Sequence, residues 1–134
     1  MEHPWLDTTR WPLLVQSYAR EATDEVTEAF CAAVEAYLLS RPAPFAWVAD
    51  ATNLLRATAR QRQMVANLDK RLMQHDKEFC LGTAIVVAHP LARGIVTAVY
   101  WVTPPVYPYK FFAAFADAEE WARARLAEKG LSAP

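Results

Sequence analysis

The sequence predicts an α/β domain: a mixed, mostly parallel sheet of four to five strands with about four helices. Two observations carry the α/β reading. Strand-like and helix-like segments alternate four times along the chain, which is the order of parallel strands joined by crossover helices. The stretch from Phe79 to Pro105 holds a continuous apolar run, a corner at His89-Pro90 and a helix with almost no polar face.

At 134 residues the chain reads as one domain, 1–134, able to bury about two-thirds of its unfolded surface. Apolar residues make up 54% and charged residues 22%, an ordinary globular balance. A net charge of −1 gives no basic footprint, which argues against nucleic-acid binding. No apolar run reaches the ~18 residues of a membrane span, and Met-Glu-His-Pro-Trp-Leu-Asp lacks the basic start and apolar core of a signal peptide. A cytoplasmic protein is expected, with Cys31 and Cys80 as reduced packing residues rather than a disulfide or redox pair.

In chain order, Trp5 to Trp11 can add a short edge strand, and Leu13 to Tyr18 is the first main strand, with Pro12 at its start. Thr23 is placed to cap a helix whose Val26, Phe30, Val34, Tyr37 and Leu38 recur at helical spacing until Pro42 stops it. Phe45 to Asp50 is a short apolar strand ending on a carboxylate. Thr58 and Gln61 have capping-box spacing, and the helix they open buries Met64, Val65, Leu68, Leu72 and Met73. His75-Asp76-Lys77-Glu78 reads as a charged loop ending it.

Leu81 to Ala88 lacks polar alternation and predicts a central strand covered on both faces. Pro90 opens the next helix, with Leu91, Ile95, Ala98, Val99 and Val102 expected on its core face, and Pro104-Pro105 stops it. Tyr107 to Phe115 predicts an edge strand. Asp117 to Glu120 resembles a capping-box start for a final helix, which turns Trp121, Ala122 and Leu126 inward and ends at Gly130.

Taken together, Asp7-Thr8-Thr9-Arg10-Trp11-Pro12-Leu13, the strand ending at Asp50, Ala59-Arg60-Gln61-Arg62, Ala84-Ile85-Val86-Val87 before Arg93-Gly94, and Phe115-Ala116-Asp117-Ala118-Glu119-Glu120-Trp121 resemble the STAS-like superfamily, in its small stand-alone SpoIIAA-like form. The resemblance covers most of the chain. It implies a small mixed sheet with helices mainly on one side, and regulation through protein contact rather than catalysis. The anti-sigma-factor-antagonist relatives carry an Asp-Ser-Ser-Gly-like turn with a phosphorylatable serine. Here Leu54-Leu55-Arg56-Ala57-Thr58 stands in that neighbourhood, and Thr58 falls nearest the position, where capping also accounts for it.

Three constellations remain. Loops at the carboxyl ends of parallel strands share one rim, which gathers Asp50, Thr52, Asn53, Thr58, Arg60, His89 and Arg93. Such a set suits a small anion or a partner's carboxylate or phosphate, unless the charges pair among themselves and the rest cap helices. Catalysis finds little: no Gly-x-Ser-x-Gly elbow, phosphate loop or Cys-x-x-Cys is present. Asp50 and His89 can form an acid–base pair but lack a nucleophile, and His3, His75 and His89 are scattered, so no enzyme, metal or cofactor is expected. Finally, a helix apolar all round is buried all round or meets a partner. Val96, Tyr100 and Trp101 predict a homodimer or partner interface, unless the Trp5-to-Trp11 segment folds over them. A pocket under the helices holding a small molecule or lipid, as the carrier-like branch of the superfamily implies, is the alternative function.

Overall fold

The computed structural model describes residues 2–134. Five strands form one sheet in sequence order: β1 (Leu6–Asp7), β2 (Leu13–Ser17), β3 (Phe45–Asp50), β4 (Cys80–Val86) and β5 (Tyr109–Phe112). β1 is antiparallel to β2, and the remaining pairs are parallel. Five helices accompany them: α1 (Asp24–Leu39), α2 (Ala59–Arg71), α3 (Met73–Phe79), α4 (Pro90–Val102) and α5 (Phe115–Ala127). The mixed, mostly parallel α/β architecture therefore stands as the sequence predicts it.

Side-chain alternation along the strands divides the core in two. Leu14, Phe45 and Trp47 face α1 and α2. Leu13, Val15, Ala46, Val48, Ala84 and Val86 face the opposite way, toward Ala118, Ala122 and Leu126 of α5. These three α5 residues are four apart, so they share one side of the helix, and all are fully buried. Their small mean size lets α5 lie close on the sheet. Trp121 reaches across to Gly82, where an added Cβ would sit 2.8 Å from the indole and 3.2 Å from the Pro108 carbonyl. Gly130, at φ +70°, supplies the left-handed residue just past the end of α5.

On the other face α1, α2 and α4 form a layer. Thr23 caps α1 through the Val26 N–H, and Thr58 and Gln61 complete a reciprocal capping box at α2. The Gln61 amide also donates to the Ala22 carbonyl at 2.7 Å and to Asp24 at 3.1 Å, while Arg71 meets Glu35 at 3.2 Å near the far end. α1 and α2 are thus tied at both ends. α4 packs mainly on α2 rather than on the strands, and the buried Thr103 hydroxyl donates to the Ala66 carbonyl at 2.8 Å.

Several local expectations need correction. His75 to Glu78 is helix, not loop: the chain bends at Leu72, which ends α2 and begins α3. β5 is shorter than Tyr107 to Phe115, because α5 already begins at Phe115 with Ala114 as its N-cap and no side-chain cap. Val26 is exposed. The Trp5-to-Trp11 segment does not fold over α4; Trp5 packs on Tyr18 and Phe30, and Trp11 on Tyr37 and Phe45. α4 itself has the expected span but a different rotation. Ala92 and Val99 are buried, whereas Leu91 (64% exposed) and Val102 (50%) face outward with Trp101.

Candidate functional site

Because α4 leans on α2, a cavity of roughly 130 Å³ remains between the helical layer and the sheet. Trp47 and Thr83, paired across β3 and β4, form part of its floor, and Ala49 and Ile85 lie two residues nearer the carboxyl ends of the strands. Phe30 and Val34 of α1, Val65 and Leu68 of α2, and Val96 and Val99 of α4 give it apolar walls. Glu21 and Arg56, both largely exposed and 3.8 Å apart, line it as well and mark its solvent side.

The polar groups in this cavity are few. Tyr18, just past β2, donates its hydroxyl to the Gln16 side-chain oxygen, and its backbone N–H is bonded to the Asp50 carbonyl at 3.0 Å. Tyr100 of α4 lies beside the Tyr107 hydroxyl and packs edge-on against Tyr109. Burial first, and neighbouring acidic groups second, hold all three cavity phenols above the ordinary tyrosine range, so each remains a neutral hydroxyl.

Asp69 and Asp76 line the same cavity from α2 and α3. Burial, reinforced by the nearby Asp76 charge, pushes Asp69 up to about 7. Burial does the same to Asp76, also to about 7. One Asp76 oxygen has no hydrogen-bond partner, with His75 Nδ1 at 3.8 Å, too far to donate. The Thr83 hydroxyl likewise lacks a partner of proper geometry, although the Cys80 thiol lies near it. The arrangement suits a molecule about the size of one ring, with an apolar body and a polar end that reaches these groups.

The rim residues anticipated from sequence are placed at strand ends and helix starts, but their side chains are engaged locally. Asp50 accepts from the N–H and hydroxyl of Thr52. The Thr58 hydroxyl accepts the Gln61 N–H at 3.1 Å. Arg60 lies 3.5 Å from Asp24, His89 Nδ1 accepts the Ala92 N–H, and the Arg93 guanidinium sits 4.3 Å over Phe111. None of these five lines the cavity. The strand order explains why: it never reverses, so there is no switch-point crevice of the sort that makes such rims binding sites.

The expected interface trio separates. Trp101 is 81% exposed, whereas Val96 and Tyr100 face the cavity. Tyr107, expected beside that trio in an outer aromatic patch, also lines the cavity, and motif and spacing do not point to Asp69, Asp76, Thr83 or Tyr18. A signal was nonetheless available for two of them: Val65, Leu68, Asp69, Leu72 and Asp76 share one helical face, which places two carboxylates within an otherwise apolar stripe.

Comparison with known proteins agrees with this architecture. No protein-family model matches the sequence, and no curated protein matches it. A crystal structure of an uncharacterized protein of the DUF3478 family, from Shewanella loihica PV-4 and described as having a SpoIIAA-like fold, superposes with a TM-score of 0.61. It is 24% identical and covers 82% of this chain and 83% of that one. The fold is SpoIIAA-like. Within that SpoIIAA-like frame, no described helix is long and apolar enough to cross a membrane, and both cysteines are buried and free.

Proposed function

We propose that this SpoIIAA-like domain is a non-catalytic binding module for a small molecule held under α4. The observation that carries the reading is the cavity of roughly 130 Å³, walled by apolar side chains and carrying a few converging polar groups. The groups facing Asp69 and Asp76 include phenols kept neutral by burial, which favours recognition over turnover. A thermal-shift screen of one-ring compounds tests the reading. Ligands should raise Tm for the wild type and lose that effect in Val96→Trp, whose indole fills the cavity; equal shifts in both proteins would put binding elsewhere.

A second reading, regulation through protein contact, rests on a different surface. Leu91 in the first turn of α4 and Trp101 and Val102 in its last are exposed apolar side chains, the kind of surface that partners cover. Light scattering after size exclusion tests the homodimer form of this reading. A concentration-dependent dimer that dissociates in Trp101→Asp supports it, and a wild type that stays monomeric at high concentration removes it.

A further inference from the structure

Three of the polar groups under α4 present oxygens that can accept from a donor. Asp76 and Thr83 are only 6% and 3% exposed, both line the cavity, and each has an oxygen without a hydrogen-bond partner in the protein. Leaving such atoms unpaired costs more than burying an apolar group would. Asp69 adds a third acceptor. Among the described residues it takes part in no ion pair.

Two arginines line the cavity, and both are engaged away from Asp69 and Asp76. Arg56 pairs with Glu21, and Arg62 donates to the Ala57 carbonyl at 2.6 Å. The remaining ionisable groups around the carboxyls come from every packed element: Cys31 on α1, Tyr18 after β2, His75 on α3, Cys80 on β4, Tyr100 on α4 and Tyr107 beyond it. Burial keeps the Cys31 thiol protonated, pushed up to about 11, and the Cys80 thiol higher still. Aromatic residues Tyr18, Trp47, Tyr100 and Tyr107 complete the surroundings, and aromatic faces attract cations.

Resting on the reading of this cavity as a ligand site, we infer that it recognises a small organic amine, its ammonium group facing Asp69 and Asp76 and its ring-sized apolar body against the walls of α1, α2 and α4. An anion would be repelled by two carboxyls, and a neutral alcohol would satisfy one acceptor without offsetting their charge. The ammonium ion also explains the pH behaviour expected of binding. An alkylamine stays protonated between pH 6 and 8, whereas Asp69 and Asp76 ionise near 7. Affinity therefore rises with pH across this interval, and binding near pH 6 releases protons.

Three ligands with nearly identical bodies decide the matter: benzylamine, benzyl alcohol and benzoate, titrated calorimetrically into the full chain. At pH 8 benzylamine should bind at least about tenfold more tightly than benzyl alcohol, and benzoate more weakly than either. Lowering the pH to 6 should weaken benzylamine several-fold and leave benzyl alcohol unchanged. Asp69→Asn, with its fold verified by circular dichroism, should remove most of the amine's advantage, and Asp76→Asn part of it. If benzyl alcohol binds as well as benzylamine, the amine assignment falls while the ligand site stands. The same holds if wild-type affinity for the amine does not change with pH. If none of the three binds at millimolar concentration, the one-ring ligand site falls, and the amine assignment with it.

Discussion

The two faces of the sheet are built from the same strands yet differ in kind. The α5 face is closed by one helix whose inward residues, Ala118, Ala122 and Leu126, are fully buried, and whose Trp121 rests on a glycine. The α1–α2–α4 face uses three helices and larger side chains, and it still encloses a cavity. A helix that meets the sheet through small residues settles directly onto it. A helix that leans on another helix, as α4 does on α2, leaves space where its side chains cannot reach the strands. Among the described residues, the unpartnered oxygens of Asp76 and Thr83 line the cavity on that second face, while on α5 the buried polar atom without a partner is a donor, Arg125 Nε.

The largest effect expected from this contrast comes from truncation. Leu126→Ala should cost about 2–5 kcal/mol, because the close-packed face leaves a new void. Val96→Ala should cost about 1 kcal/mol or less, since it enlarges a space already present. Urea unfolding of the two variants measures the difference, and equal costs would mean that the two faces are packed alike.

Gly82→Ala overfills the close-packed face instead of emptying it. The added methyl would meet the Trp121 ring at 2.8 Å, so a loss of about 1–3 kcal/mol is expected. Much of that loss should disappear in a Trp121→Leu background, as a double-mutant cycle would read.

Titration gives the next effect. Asp69 and Asp76 are raised in the folded state, to about 7, so the folded protein binds their protons more tightly than the unfolded chain does. Their contribution is complete below about pH 4 and is lost as pH rises through about 7. Unfolding free energy should therefore fall between pH 5 and 8 by something on the order of 1–2 kcal/mol after allowance for water in the cavity. Asp7, held low chiefly by its hydrogen bonds from Thr9, titrates below this window. Asp69→Asn should flatten the slope and be more stable than wild type at pH 8; a slope unchanged in that variant would assign it to other groups.

The smallest effect concerns one hydroxyl. Thr83→Val removes an acceptor without a partner and should be neutral or stabilising by up to about 1 kcal/mol in chemical unfolding. A loss of stability would mean that the hydroxyl has a partner in solution.

The sequence made the elements legible where local chemistry decides them. The Thr58–Gln61 box begins α2, and Leu81 to Ala88, which lacks polar alternation, predicts the interior strand observed at Cys80–Val86. Pro90 and Pro104 bracket α4. Rotation of α4 was not legible, because a helix apolar on every side carries no moment that says which side faces in. Leu91 and Val102 therefore exchanged places with Val96 and Tyr100. A pocket under the helices was expected from the resemblance, but its polar lining was hidden for a related reason: the acceptors are brought together by α2, α3 and β4, and no short motif joins them. The bend at Leu72 left Asp76 within a charged tetrapeptide, which reads as surface until the tertiary structure buries it.

The five tryptophans fall in usefully different places. Trp47, 6% exposed, is part of the cavity wall, whereas Trp101 stands 81% exposed on the outer side of α4. Two of these five intrinsic fluorophores can thus serve as separate reporters, Trp47 turned toward the space beneath α4 and Trp101 toward solvent. In variants that keep only one of them, the emission of Trp47 would report filling of the interior and that of Trp101 would report docking from outside. A single optical channel could then tell a captured small molecule from a captured protein.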